Sequence, residues 1–432
     1  MDLKGTGWWP IFFSALFCPF HLLSHLRKKR RKLFWKRWRP CFEDLSPEKE
    51  RLWIHTLSVG ELQAAGTLLR GLRRHFPDYE LVLTVTTSSG LKLAIERFSD
   101  LARIYPSPLH CPRILRRYFS AIRPRLFILV ETDVWPDVVG LAKALRVPLI
   151  LANGALSEKS YRAFQKFKFL ARLLYRPFEV LAMASEEDRL RMEALSPGPR
   201  VLFLGNLKYD FPAPHPGEIE ALRRNLSAYI SSPVIVCGST HAGEEALILQ
   251  AFRKLAGGTL ILCLRNPERA PEIKALSERL GFKTALRSRP FPAEVLVVDT
   301  LGELRAIYAL AEVAFVGGTL VPIGGHNLLE PAALGVPVLF GPYVESVASV
   351  AHELEAEGGG KKVKPEPEAL ALAMEKFGTE SRERGERALR VFVRHKGALE
   401  RYLRLIAHFL NQREELGHGT SPKDRKIYAR TR

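Results

Sequence analysis

Residues 316–342 read VGGTLVPIGGHNLLEPAALGVPVLFGP, and this stretch decides the fold. A buried-strand run, Val313 to Val316, ends in Gly317-Gly318. A second pair, Gly324-Gly325, leads into His326-Asn327, and an apolar helical pattern opens at Leu328 with Glu330 one turn in. Gly335 breaks that pattern, and Val336 to Phe340 reads as the next buried strand. Strand, turn, helix and strand make up the repeating unit of a parallel sheet with crossover helices. Glycines let a backbone approach a ligand with its amides exposed. A helix starting behind them adds orphan N–H groups and a partial positive charge. The expected product is an anion site of the kind that holds a nucleotide phosphate, with Gly325, His326 and Asn327 in it and the Glu330 carboxylate accepting from ribose hydroxyls. The plainer alternative is a strand–turn–helix whose glycines serve turn geometry alone.

The same alternation extends outward. Upstream of the stretch, Val234 to Cys237, Thr259 to Leu264 and Val295 to Val298 read as buried strands. Helical patterns lie between them at Gly243 to Lys254, Pro271 to Leu280 and Glu303 to Ala309. A proline-rich break follows Phe211, with Pro212, Pro214, Pro216 and Gly217. Before it lies a second set of strand runs: Leu52 to Leu57, Leu81 to Val85, Leu126 to Val130, Pro148 to Ala152 and Leu181 to Ala184. Helical stretches accompany them at Gly60 to His75 and Ser89 to Phe98. The expectation is an α/β chain of two Rossmann-like domains, 41–212 and 213–416, facing a cleft. Ligands bind such sheets beyond the carboxyl ends of the strands. A basic helical stretch, Arg382 to Leu410, closes the second domain, and residues 417–432 read as a disordered tail.

A net charge of +19, from 65 Lys and Arg against 46 Asp and Glu, calls for an anionic partner: nucleic acid, an acidic membrane or a phosphorylated substrate. Five cysteines without C-x-x-C spacing argue against a disulfide framework or a zinc site and fit a reducing compartment. Trp8 to Leu26 is a mostly apolar run, and RKKRRKLFWKRWR at 27–39 carries nine basic residues and no acid. A signal peptide places its positive charges before the apolar core, whereas here they follow it. The pattern favours a membrane anchor over residues 1–40, spanning or interfacial, with its polybasic flank on anionic lipid, rather than a nucleic-acid arm. The body of the protein is then expected in the cytoplasm.

Candidate chemistry sits at the strand ends. Ser239 and Thr240 suit a phosphate or, equally, a helix N-cap. Arg265 stands at a strand end with Arg269 nearby, and an arginine there can pair with phosphate or stack on a base, or simply form a surface ion pair with Glu268. Gly302-Glu303-Leu304 opens a helix. In the first half Glu61 stands on the first turn of a helix behind a strand. It can take a proton from an acceptor hydroxyl or simply serve the helix terminus. Glu131 ends another strand run, and Lys208 lies near the interdomain break, suited to balancing an anion.

Seven motifs then fall in order: SVGE at 58–61, ETDVWP at 131–136, GNLKYD at 205–210, STHAGEE at 239–245, NPER at 266–269, DTLGEL at 299–304, and GGHNLLEPAALGVPVLFGP at 324–342. Together they resemble the Kdo (3-deoxy-D-manno-octulosonic acid) transferases of lipopolysaccharide assembly, GT-B glycosyltransferases, over about residues 50–360. The resemblance implies transfer of Kdo from CMP-Kdo to a lipid A precursor, with inversion and without metal or cofactor. The implied location is the cytoplasmic face of the inner membrane, with an N-terminal anchor and no nucleic-acid partner. It implies Glu61 as general base and Glu131 and Lys208 as transition-state support. It places CMP contacts at Leu264 and Arg265, at Leu301, Gly302 and Glu303, and at Asn327, Leu328, Leu329 and Glu330. The chain departs from the family pattern at Ala155 of NGALS, at Leu264 and Asn266 of LRNPER, and at Glu345-Ser346-Val347.

Overall fold

The computed structural model describes residues 31–38, 40–131, 134–211 and 213–415. The chain forms two compact units. The first runs to Phe211 and resumes at Gly397, and the second is Pro212–Lys396.

The first unit holds strands Arg51–Thr56 (β1), Glu80–Val85 (β2), Arg103–Pro106 (β3), Pro124–Val130 (β4), Leu149–Gly154 (β5), Val180–Met183 (β6) and Arg200–Phe203 (β7). They pair in the order β3-β2-β1-β4-β5-β6-β7, every pairing parallel. Helices cover both faces, so β1 and β2 are buried at every position and read as continuous apolar runs. Alternate residues feed two cores: Leu52, Ile54, Leu81 and Leu83 on one face, Trp53, Val82, Phe127 and Leu129 on the other. Trp53 stacks on Phe127 at a centroid distance of 4.1 Å and donates its indole N–H to Thr84 Oγ1 at 2.9 Å, so its polar atom is satisfied. Burying one such aromatic side chain stabilises the unit by roughly 2–3 kcal/mol.

The second unit holds Val234–Thr240 (β8), Thr259–Leu264 (β9), Thr284–Leu286 (β10), Val295–Val298 (β11), Val313–Val316 (β12), Val338–Phe340 (β13) and Gly360–Lys362 (β14). Their order is β10-β11-β9-β8-β12-β13-β14, again with parallel pairings. In each sheet the chain crosses once to the far side of its founding strand, so that β1 and β4 in the first, and β8 and β12 in the second, lie side by side. Loops beyond the carboxyl ends of the strands open into a crevice at such switch points.

All ten strands expected from the sequence are present. Four more are not foreseen, β3, β7, β10 and β14, and these are the outer strands of the two sheets. An outer strand is short and partly wet, so its burial does not require an unbroken apolar run. β3 and β7 expose residues such as Arg103, Arg200 and Phe203, and β14 exposes Lys361 and Lys362.

Two expectations need correcting. The basic stretch 382–410 is not one helix but two, Ser381–His395 and Ala398–Glu415, broken at Gly397, whose φ of 83° is open to glycine without strain. The second of these does not belong to the second unit, which therefore ends at Lys396 rather than 416. Tyr402, Leu403, Ile406 and Leu410 enter the core of the first unit beside Leu68 and Leu126. The apolar run Trp8 to Leu26 and the tail 417–432 lie outside the described residues, and among those described no helix is long and apolar enough to cross a membrane.

Candidate active site

In the first unit the sequence-predicted residues gather at the β1/β4 switch point. β1 and β4 run side by side with His55 opposite Leu129, so the segments that follow them, carrying Glu61 and Glu131, leave the sheet as neighbours. Glu61 sits on the first turn of the helix Val59–His75 and is buried. Its carboxylate accepts a hydrogen bond from the Leu57 backbone N–H, and its own N–H donates to Ser58 O at 3.2 Å. The Ser58 side chain makes no cap bond, and the bond from Leu57, the residue before the cap, fixes the Glu61 carboxylate in orientation.

Glu131 and Lys208, far apart in sequence, form an ion pair with Lys208 Nζ 2.6 Å from Glu131 Oε1. Asn153 holds the pair in place. Its Nδ2 donates to Glu131 Oε1 at 3.3 Å, and its Oδ1 accepts from the Leu207 N–H at 2.8 Å. Its own N–H donates to Tyr402 Oη at 2.9 Å. Glu131 and Asn153 both adopt left-handed backbone, φ 67° and 55°. Such conformations cost non-glycine residues of order 1–3 kcal/mol and persist where surroundings impose them, often at functional sites. The sequence marks Asn153 only as an asparagine ending a buried strand, a residue type that tolerates this conformation.

In the second unit the loops after β8 and β12 flank the other switch point. The helix Glu244–Phe252 follows β8, and Glu244, fully buried, accepts backbone N–H bonds from His241, Gly318, Thr319 and Leu320 at 2.8–3.0 Å. This corrects the reading of Gly317-Gly318 as free amide donors: Gly317 N–H donates to Gly238 O, and Gly318 is taken by Glu244. Gly317 is needed because a Cβ there would lie 2.5 Å from Ser239 O and 2.7 Å from Thr240 Cα. The glycines bring two strand-end loops together rather than bringing the backbone to a ligand.

Three further expectations shift. Thr240 is wholly buried, and its hydroxyl has no partner among the described residues, so it offers nothing to a phosphate at the surface. Neither it nor Ser239 caps the helix, since Gly243 occupies that position. The helix expected from Leu328 is a single turn, Leu329–Ala332, too short for a macrodipole to dominate. Neither Arg265 nor Arg269 pairs with Glu268 among the described residues; Arg269 binds buried Glu245 at 2.9 Å and Glu272 at 3.1 Å instead.

His326 stacks on His241 with ring centroids 5.0 Å apart and planes 6° apart, their Nε2 atoms 2.8 Å from each other. Only one proton fits between two nitrogens at that distance, so at least one ring is neutral. Burial, then His241 and Arg265, push His326 down to about 4, so its ring is neutral near pH 7. Arg265 is exposed and also faces Glu330, whose carboxyl burial pushes up to about 6 against the pull of Arg305 and Arg265. Arg265, His326 and Glu330 therefore share one electrostatic neighbourhood. Asn327 Oδ1 accepts from the Leu329 N–H at 3.1 Å, while its Nδ2 is buried without a partner among the described residues. Leu328 and Leu329 are buried and Leu264 nearly so. Glu303 receives Arg287 Nη2 at 2.8 Å beside the turn at Gly302, and Leu301 projects from that turn, 83% exposed. Ser346, one of the departures, donates its N–H to Gly324 O at 2.9 Å, so that segment lies on the glycine loop.

The family model for 3-deoxy-D-manno-octulosonic-acid transferases matches residues 29–211. The 3-deoxy-D-manno-octulosonic acid transferase of Haemophilus influenzae is 30% identical over 426 residues, spanning 94% of this chain and 99% of the relative. This chain belongs to the Kdo transferase family. The Aquifex aeolicus member is 31% identical over 77% of the chain and 88% of its own length. This Kdo transferase is thus a glycosyltransferase, and its fold agrees with that standing. The crystal structure of Acinetobacter baumannii MurG matches it with a TM-score of 0.55 at 14% identity, covering 83% of this chain and 99% of that one. That of Anabaena HepE in complex with UDP gives 0.55 at 15%. Two parallel α/β units are the GT-B pattern.

Proposed function

We propose that this Kdo transferase moves Kdo from CMP-Kdo to a lipid A precursor, with inversion and without a metal, at the cytoplasmic face of the inner membrane. The observation that carries the reading is the β1/β4 switch point, whose two paired strands lead into an oriented, buried Glu61 and into the Glu131–Lys208 ion pair. In the proposed reaction Glu61 takes the proton of the acceptor hydroxyl as its oxygen attacks the anomeric carbon. The anomeric C–O bond breaks, and its electron pair leaves with CMP. Lys208, held by Glu131 and Asn153, supplies the fixed cation toward the anionic donor. CMP is assigned to the second unit. Arg265 faces its phosphate and Glu330 its ribose, with Leu264, Leu301 to Glu303 and Asn327 to Leu329 as the remaining contacts and Ser239 at the loop edge. Residues 1–40 anchor the chain, with basic residues 27–39 on anionic lipid.

The test is Glu61→Gln with CMP-Kdo and a detergent-dispersed lipid A precursor. A proton acceptor contributes about 10²–10⁴-fold, so CMP release should fall by at least about a hundredfold while CMP affinity holds. A wild-type rate removes Glu61 as the base. A second reading, transfer from a different nucleotide sugar, draws on the Ser346 contact with the glycine loop. It predicts tighter binding of UDP than of CMP.

A further inference from the structure

The first unit carries a surface feature that the transfer reaction leaves unused. The helices Glu158–Lys166 and Lys168–Tyr175 follow one another with a single-residue break at Phe167. The first of them has no fully buried residue. At the break Phe167 is 56% and Phe169 70% exposed, their rings edge-to-face at 6.4 Å. Packing against the protein does not account for two adjacent phenylalanines in water, because each exposed ring forgoes the stabilisation that burial gives.

The surroundings of this pair are cationic. From 157 to 176 the chain has Lys159, Arg162, Lys166, Lys168, Arg172 and Arg176 against the single acid Glu158. Glu158 is spent on Arg162 and Arg191. Lys159, Lys166 and Lys168 are exposed and make no ion pair among the described residues. Lys166 and Lys168 bracket Phe167 in sequence, so two positive charges flank the aromatic pair. Tyr161 and Phe164 of this segment pack into the same core as Trp38 of the helix Arg31–Trp38. That helix presents Trp35, 56% exposed, and Lys36, and is moored by buried Arg37 donating to Ser107 O and Pro108 O at 2.8 and 2.9 Å. Both therefore lie on one side of the first sheet. Exposed aromatic side chains with unpaired lysines next to them in sequence match the headgroup layer of a bilayer: the rings enter the acyl boundary and the ammonium groups meet anionic phosphates. Nucleic acid matches the charge, but successive bases stack on roughly parallel rings, and these two lie at 90° to each other.

We propose that the segment 158–176 is a second membrane contact, inserting Phe167 and Phe169 into an anionic lipid surface independently of residues 1–30. One weak anchor binds reversibly, whereas two acting together hold a protein at the surface. This inference deepens the membrane part of the proposed function and does not depend on the donor or the base.

Hydrogen exchange of the full chain tests it locally, whatever the N-terminal segment does. Vesicles of phosphatidylcholine with phosphatidylglycerol should protect amides in 158–176, and phosphatidylcholine alone should protect them far less. Phe167→Ser with Phe169→Ser should abolish that protection and weaken vesicle binding by roughly tenfold, with exchange elsewhere unchanged as the control for folding. Turnover on detergent-dispersed acceptor, measured on the same samples, should be unaffected by the double variant. Unchanged exchange in 158–176 with anionic vesicles overturns the inference, as does protection by a nucleic-acid oligomer in place of vesicles. Either result leaves the transferase reading standing if turnover is intact.

Discussion

The two switch points are built from different materials. Beyond β1 and β4 the groups are charged side chains at strand ends: a buried glutamate, and a lysine–glutamate pair at 2.6 Å steadied by Asn153. Beyond β8 and β12 the buried charge of Glu244 faces inward. It is consumed by four backbone N–H groups, and what is left to face a ligand is a stacked imidazole pair, an arginine and a half-buried glutamate. Bond-making needs a base and a fixed cation where charge develops. Holding a nucleotide needs a loop of fixed shape, and a buried carboxylate satisfied by amides is an effective way to fix one. The first region is thus expected to be sensitive in rate and the second in shape.

The largest effect should come from Glu244→Ala, which leaves four backbone donors without their acceptor. Breaking such a buried network costs about 3–5 kcal/mol, read in urea unfolding, and CMP titration should show binding lost together with loop order. If stability holds, the contrast between the two regions fails. Next is Lys208→Met, for which turnover should drop on the order of a hundredfold with CMP affinity unchanged. An equal loss in CMP affinity would move Lys208 into nucleotide binding. Asn153→Ala removes the bonds to Glu131 and from Leu207 and places alanine at a left-handed φ, costing about 2 kcal/mol by thermal unfolding. Its turnover should fall less than that of Lys208→Met, since it positions the pair without supplying the charge.

The smallest and most diagnostic effect is a pH dependence. Burial raises the Glu330 carboxyl to about 6. A raised carboxyl is protonated, and stabilising to the fold, below its ordinary value, and that contribution is lost as pH rises through about 6. In the proposed role the ionised carboxylate accepts from ribose hydroxyls more strongly than the protonated form, so CMP affinity should be full above about pH 6 and fall a few-fold below it. Glu330→Gln should flatten this step in calorimetric titrations. A step that survives the substitution assigns it to another group.

Much of this was legible in the sequence, and unevenly so. Glu61, Glu131 and Lys208 were each picked out by position, because a polar residue after a buried run must emerge beyond the sheet. Their arrangement was not legible: nothing local ties Glu131 to Lys208, and Asn153 draws its role from Tyr402 on a helix that the sequence assigned to the other domain. Glu244 was overlooked because a glutamate opening a helix reads as a solvated terminal charge, and its burial is visible only once β12 lies beside β8.

The sequence by itself determined the ten inner strands, the parallel α/β class and the membership of the family, because continuous apolar runs and ordered motifs are local properties. Tertiary structure alone decided the four outer strands, the return of Ala398–Glu415 to the first unit, the one-turn length of Leu329–Ala332, and the use of Gly317 for close loop packing. Each of these depends on which distant backbone happens to be adjacent. Their energies come from contacts across the sheets and loops, and no window of neighbouring residues contains both partners.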